Sequence, residues 1–140
     1  MDRNTDEDKV FIILKRLMID LSIDRASSDI YAKLALSEKP LTISEISKAT
    51  KYSVPRTYTL IKGLIYEGLV EKEKHNRGVY YYANINFIDV FEKRREKLLK
   101  NYLEPLSKMR SEGKSDRFKE IVGYARTISK YFNRINKIRH

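Results

Sequence analysis

The chain has no cysteine, no tryptophan and no glutamine, and only 3 prolines, 5 glycines and 2 histidines in 140 residues. Without cysteine there is no disulfide, no thiolate nucleophile and no zinc finger, a composition that a reducing cytosol permits. Apolar runs such as Val10 to Leu14 fall far short of the roughly 18 residues a spanning helix needs. The N-terminal MDRNTDEDK is polar where a signal peptide would be apolar. A soluble cytoplasmic protein with no membrane partner is therefore expected. Of the histidines, His75 falls in an expected turn and His140 at the terminus, so neither offers a buried acid–base site. There is no Gly-rich phosphate loop, no metal-ligand spacing and no nucleophile in a recognisable local motif, so no enzyme, cofactor or metal is expected. The missing glutamine and tryptophan, beside abundant Ile, Lys, Glu and Tyr, suit a heat-adapted protein and equally an A+T-rich genome.

What the chain does have is positive charge. Its 29 Lys and Arg face 19 Asp and Glu, leaving +10. Residues 1–24 carry 4 basic and 6 acidic groups, residues 25–85 carry 10 and 6, and residues 86–140 carry 15 and 7, so the excess grows toward the C-terminus. Such a balance marks polyanions as partners, nucleic acid ahead of an anionic membrane surface. The length fits one domain with helical extensions.

Periodicity predicts mainly α structure with a small β-hairpin. Residues 6–22 align Val10, Ile13, Leu14, Leu17, Met18 and Leu21 on one helical stripe, with Asp6, Glu7 and Asp8 in the first turn. A second helix from Arg25 to Ser37 buries Ile30, Leu34 and Ala35 before Pro40 breaks the chain. Thr42-Ile43-Ser44-Glu45 has capping-box spacing and opens a third helix with Ile43, Ile46 and Ala49 inward. A longer helix starts near Val54 or Pro55, where proline is tolerated in the first turn, and ends at Gly68. The period then changes to 2. Leu69 to Lys74 and Val79 to Ile85 read as strands around His75-Asn76-Arg77-Gly78, with Val79, Tyr81, Ala83 and Ile85 on one face and Tyr80 and Tyr82 on the other. Asn86 caps a further helix, with Asp89 at the reciprocal position, running to about Glu112 with a kink or break at Pro105. Ser111-Glu112-Gly113-Lys114-Ser115 is the flexible joint. The last helix, from Asp116, repeats Phe118, Ile121, Ala125, Ile128, Phe132 and Ile135 at steps of three and four, with Tyr124, Tyr131 and Ile138 in an adjacent row.

Two helices joined by a short turn, the second ending in glycine, followed by a hairpin with a basic tip, outline a winged helix-turn-helix with N- and C-terminal helical extensions. The stretch TISEISKATKYSVPRTYTLIKGLIYEGLVEKEKHNRGVYYYA resembles the core of archaeal TrmB-like and Lrs-type regulators and their MarR-like relatives. Tyr58, Ile61, Leu64, Gly68, Leu69 and Val70 match the pattern in which those families close the recognition helix and enter the wing. The likeness covers roughly residues 25–90. It implies transcription regulation, with the second helix of the motif in the major groove and the wing beside the phosphates. The longer TrmB proteins add a C-terminal sugar-binding domain, for which this sequence leaves no residues.

From the residues themselves, Thr57, Ile61, Leu64 and Ile65 are the inward positions of the recognition helix, leaving Ser53, Pro55, Arg56, Thr59 and Lys62 outward. Arg56 can take a guanine edge bidentately, Pro55 can meet a thymine methyl, and the others can reach phosphates or bases. An ordinary solvated helix face has the same appearance. In the wing, Lys72, Lys74, His75 and Arg77 surround a turn in which Gly78 is expected to supply a positive φ, with Glu71 and Glu73 diluting the charge. A solvated hairpin tip is the plain alternative. Gly63 inside the helix signals either close approach by another backbone or an unremarkable surface position. Lys93-Arg94-Arg95-Glu96-Lys97 could extend the footprint, although Glu92 and Glu96 suit intrahelical pairing. Tyr80 to Tyr82 could stack bases, although a strand alternating core and surface tyrosine accounts for them better.

The reading is a sequence-specific double-stranded DNA-binding regulator, a repressor by promoter occlusion, nucleoid-associated and homodimeric. Residues 1–24 would form a dimerisation helix, 25–86 the winged helix and 87–140 the C-terminal dimerisation helices. Leu14, Leu17, Leu21, Ile121, Ile128, Phe132 and Ile135 would form the seam. Two rivals remain: an architectural protein that coats DNA through charge, and a winged-helix protein-interaction or RNA-binding module. No small-molecule effector can be named from the sequence.

Overall fold

Three helices of the N-terminal half start where a side chain accepts from a backbone amide. The computed structural model describes residues 2–139. It divides into two units, one ending at Val90 and the other beginning at Phe91. In the first unit, α1 (Asp2–Asp20) begins before the expected residue 6, so Asp6, Glu7 and Asp8 lie beyond its first turn. It ends before residue 22 because Ser22 turns the chain with φ 70°. Asp24 caps α2 (Arg25–Ala35), accepting from the Ser27 amide at 2.8 Å and its hydroxyl at 3.0 Å. Thr42 and Glu45 complete the anticipated capping box of α3 (Ile43–Thr50), at 3.1 and 3.0 Å. Such a cap contributes about 1 kcal/mol. Ala49 is exposed, so the inward side of α3 is Ile43 and Ile46 alone.

Lys51 ends α3 in the left-handed region, φ 65°, and the chain re-enters a helix at α4 (Val54–Tyr66), capped by Ser53. Gly68, with φ 76°, ends that turn in the conformation glycine adopts at least cost. Strands β1 (Val70–His75) and β2 (Gly78–Ala83) then pair antiparallel, Val70 opposite Ala83 and His75 opposite Gly78. Leu41 adds a bridge that periodicity did not reveal, exchanging backbone hydrogen bonds with Tyr81 at 3.0 and 2.8 Å. Ile85 lies past the end of β2 and is exposed, so it leaves the face it was expected to share with Tyr81.

The core of this unit gathers Met18, Ile30, Tyr31, Leu34, Ile46, Ile61, Leu64, Leu69, Val70, Tyr81, Ala83 and Val90. Full burial of a side chain such as Met18 is worth about 1.5–3 kcal/mol. The end of α1, set apart in the sequence as a dimerisation segment, is thus part of this core, with Leu17 and Leu21 packed against it. Tyr31 is fully buried and donates to the Asn84 carbonyl at 2.8 Å; burial pushes its phenol up to about 12.

The division between the units falls within α5 (Phe87–Leu98). Asn86 accepts from the Asp89 amide as expected, but the Asp89 carboxylate takes the Asn84 side-chain amide at 2.7 Å, and Asn84 Oδ1 accepts from the Asn86 amide. In the second unit, the helix anticipated to reach Glu112 widens into a π-helical turn at Leu99–Leu103, continues as α6 (Glu104–Ser107) and stops there. Pro105 lacks an amide hydrogen and crowds the carbonyl four residues earlier, so a wider turn just before it relieves the conflict. Gly113, φ 72°, turns the chain within the anticipated joint. Ser115 then caps α7 (Asp116–Arg139), accepting from the Phe118 amide at 3.2 Å. Val122, Ala125 and Ser129 are its buried positions, so the inward face is rotated from the expected stripe and Ile121 stands 49% exposed. Arg95 ties α5 to α7, donating to the Phe132 carbonyl at 3.2 Å and Asn136 Oδ1 at 2.6 Å and pairing with Glu92. The side chain of Ile138 and all of His140 lie outside the described residues.

Candidate nucleic-acid interface

Thr57, Ile61 and Leu64 are buried and Ile65 packs against the core, which turns the opposite side of α4 outward. Ser53, Pro55, Arg56, Thr59 and Lys62 are all exposed on it. Two of these groups are partly engaged: Ser53 Oγ accepts from the Arg56 amide at 3.2 Å, and Thr59 Oγ1 donates to the Pro55 carbonyl at 3.1 Å. Arg56 and Lys62 lie over aromatic rings, the guanidinium carbon 4.8 Å from the Tyr52 centroid and Nζ 5.4 Å from that of Tyr58. Tyr58, 50% exposed, therefore joins this face. In the sequence it stands out only as a pattern position, although its spacing of four from Lys62 was the available signal. Gly63 has open space where a Cβ would stand, so none of the described residues' backbone approaches it there.

The hairpin separates its charges by pleat. Lys72 lies opposite Tyr81 and Lys74 opposite Val79, so both lysines share the face on which Val70, Tyr81 and Ala83 are buried. Glu71 and Glu73 lie opposite Tyr82 and Tyr80 on the other face. The glutamates therefore do not dilute the lysine face. A hydrogen bond from Tyr82 to Glu71 raises the Tyr82 phenol pKa. His75 Nε2 is 3.0 Å from Glu73 Oε1, and its ring packs 5.5 Å from Tyr80. Lys72, Lys74, His75 and Arg77 are all exposed. Gly78 does not take the expected positive φ. It sits instead against the Tyr80 ring, where an added Cβ would stand 3.4 Å from the nearest ring carbon, at ordinary contact distance.

Of the basic run on α5, Arg95 is engaged in the α5–α7 tie, and Glu96 pairs with Lys100 at 3.0 Å. Tyr80 to Tyr82 alternate, Tyr81 buried and Tyr82 exposed, as a strand over a core requires.

In the second unit, a groove of about 660 Å³ is lined almost wholly by apolar atoms of Leu103, Leu106, Ile121, Tyr124, Ile128 and Tyr131. Tyr124 is 74% and Tyr131 53% exposed. Ile128, Phe132 and Ile135 are half-buried, Phe132 lying beneath the Arg95 guanidinium. On α1, Val10 and Ile13 are exposed and Leu14 half-buried. No described helix is long and apolar enough to cross a membrane.

The profile of the family described as "Sugar-specific transcriptional regulator TrmB" matches residues 17–86. Among curated proteins none matches. A crystal structure of a transcriptional regulator is similar over 93% of this chain and 95% of that one, with 16% identity and a TM-score of 0.64. The transcriptional regulator Tm0710 from Thermotoga maritima has 20% identity over 97% and 96% of the two chains, with a TM-score of 0.48. The oxidised form of MarR from E. coli has 16% identity over 86% and 83%, with a TM-score of 0.46. The first of these likenesses is one of fold.

Proposed function

This chain belongs to the TrmB family of DNA-binding transcriptional regulators, and we propose that it works as a sequence-specific homodimer that represses by occluding promoters. The observation that carries this reading is the exposed side of α4, where Pro55, Arg56, Thr59 and Lys62 stand together behind a fully packed inner face. Base-edge contacts come from that side, Arg56 taking a guanine and Pro55 a thymine methyl. Lys62 and the wing residues Lys72, Lys74 and Arg77 meet phosphates, which position the protein without reading sequence. The helix N-terminus adds its own attraction for anions.

The apolar groove of the second unit supplies the dimer contact in this reading. Apolar side chains gathered in one exposed groove offer a surface that a partner can cover. A twofold axis lets the same surface meet itself, and dimers of helix-turn-helix proteins bind half-sites one helical turn, roughly 34 Å, apart. The protein is accordingly nucleoid-associated.

Titrating duplex DNA at several salt concentrations tests the phosphate contacts. If Lys62, Lys72, Lys74 and Arg77 each meet a phosphate in both protomers, log affinity should fall against log salt with a slope of about −7. A slope near zero would contradict the reading.

A further inference from the structure

We propose that Tyr52 is a positioning residue for sequence discrimination: its ring holds the Arg56 guanidinium ready for a base edge, and the Lys15–Asp29 ion pair fixes the ring. The inference rests on the reading that Arg56 contacts bases. Tyr52 lies in the turn between α3 and α4, with its carbonyl accepting from Ser47 Oγ at 2.5 Å. Its hydroxyl donates to Asp29 Oδ2 on α2 at 2.7 Å, and Asp29 Oδ1 pairs with Lys15 Nζ on α1 at 2.8 Å. The Lys15 and Asp29 side chains are 27% and 24% exposed, so water competes for this pair only in part. Tyr52 is thus held at its backbone carbonyl and at its hydroxyl, with Arg56 above its ring.

Each link has a physical role. An arginine on an exposed helix face otherwise samples many rotamers, and ordering it on DNA costs affinity; a ring beneath the guanidinium limits that freedom before DNA arrives. The planar fork stays open at its edge, where bidentate contact is made. A phenol that donates to a carboxylate gains electron density, which strengthens its attraction for the cation above. Left unpaired, Asp29 would oppose approaching phosphates, and Lys15 cancels that charge. Through Lys15, the first helix takes part in reading DNA without touching it.

The test uses the full-length protein, the duplex recovered by selection from a random pool, and a scrambled duplex of equal length, compared at fixed salt. Tyr52→Leu should lower the ratio of the two affinities by about fivefold, Tyr52→Phe and Lys15→Met by about twofold each, since the ring remains while its anchor goes. The decisive readout is a double-mutant cycle. In an Arg56→Ala background, Tyr52→Leu should leave the ratio unchanged, because the group it positions is absent. A residue that merely shapes the turn would lower the ratio by the same factor in both backgrounds, and that result overturns the proposal. Should Tyr52→Leu fail to fold by thermal melting, Tyr52→Phe and Lys15→Met carry the comparison, and unchanged ratios for both overturn it equally. A different outcome defeats the underlying reading and the proposal with it: a pool that yields no motif, or Arg56→Ala with the wild-type ratio.

Discussion

Ile121→Lys is expected to convert the protein into a monomer and to lower its affinity for duplex DNA by roughly 10²–10⁴-fold, the usual worth of linking two binding modules. Ile121 suits this substitution because it lines the apolar groove and is 49% exposed within its own chain, so the fold does not depend on it. In a twofold contact each introduced ammonium meets its copy or an apolar wall, and both are unfavourable. The added positive charge would by itself favour DNA, so a loss of affinity can only come from losing the partner. Phe132, another residue of the expected seam, packs under Arg95, and its replacement would disturb the α5–α7 tie as well. Sedimentation and DNA titration of both proteins measure the effect. A wild type that sediments as a monomer at micromolar concentration, or an Ile121→Lys protein that stays dimeric with unchanged affinity, would contradict the dimer.

The second large effect separates Arg56 from Arg77. Arg56→Ala should lose roughly 1–3 kcal/mol on the preferred duplex, about 5- to 150-fold, and much less on random DNA. Arg77→Ala, at the wing tip, should weaken both duplexes more evenly and flatten the salt slope by about two units, one phosphate contact being lost in each protomer. Arg56→Lys should recover little, because an ammonium lacks the fork that matches guanine. Titrations of the variants against both duplexes at two salt concentrations decide the matter; equal losses on the two duplexes for Arg56→Ala would show that α4 does not read bases through this residue.

What the sequence reveals well is local. The Thr42–Glu45 capping box, proline in the first turn of α4 and the stop at Gly68 involve residues within a few positions of one another, and they appear where expected. The outward side of α4 is legible for the same reason, since its inner face is apolar apart from Thr57. On α7 two neighbouring rows are apolar, one through Ile121, Tyr124, Ile128 and Tyr131 and one through Phe118, Val122, Ala125 and Phe132. Periodicity does not say which of them turns inward, and the expected stripe took members of both; the buried row also contains polar Ser129, which a search for apolar residues passes over. Other features depend on partners distant in sequence. Arg95 reads as part of a solvated basic run until Phe132 and Asn136 are beside it. In the chain from Lys15 through Asp29 and Tyr52 to Arg56, only the last step is local; the other two join residues distant in sequence. The separation of Lys72 and Lys74 from the glutamates follows from a period of 2, but its meaning requires the register with β2.

Selection from a random duplex pool with the full-length protein tests the central claim, sequence-specific reading of DNA by a dimer. The account predicts an inverted repeat whose half-sites are centred about one helical turn apart, roughly 34 Å. Tight, salt-sensitive binding that enriches no motif would contradict it in favour of an architectural protein, and little affinity for any duplex would contradict DNA binding itself.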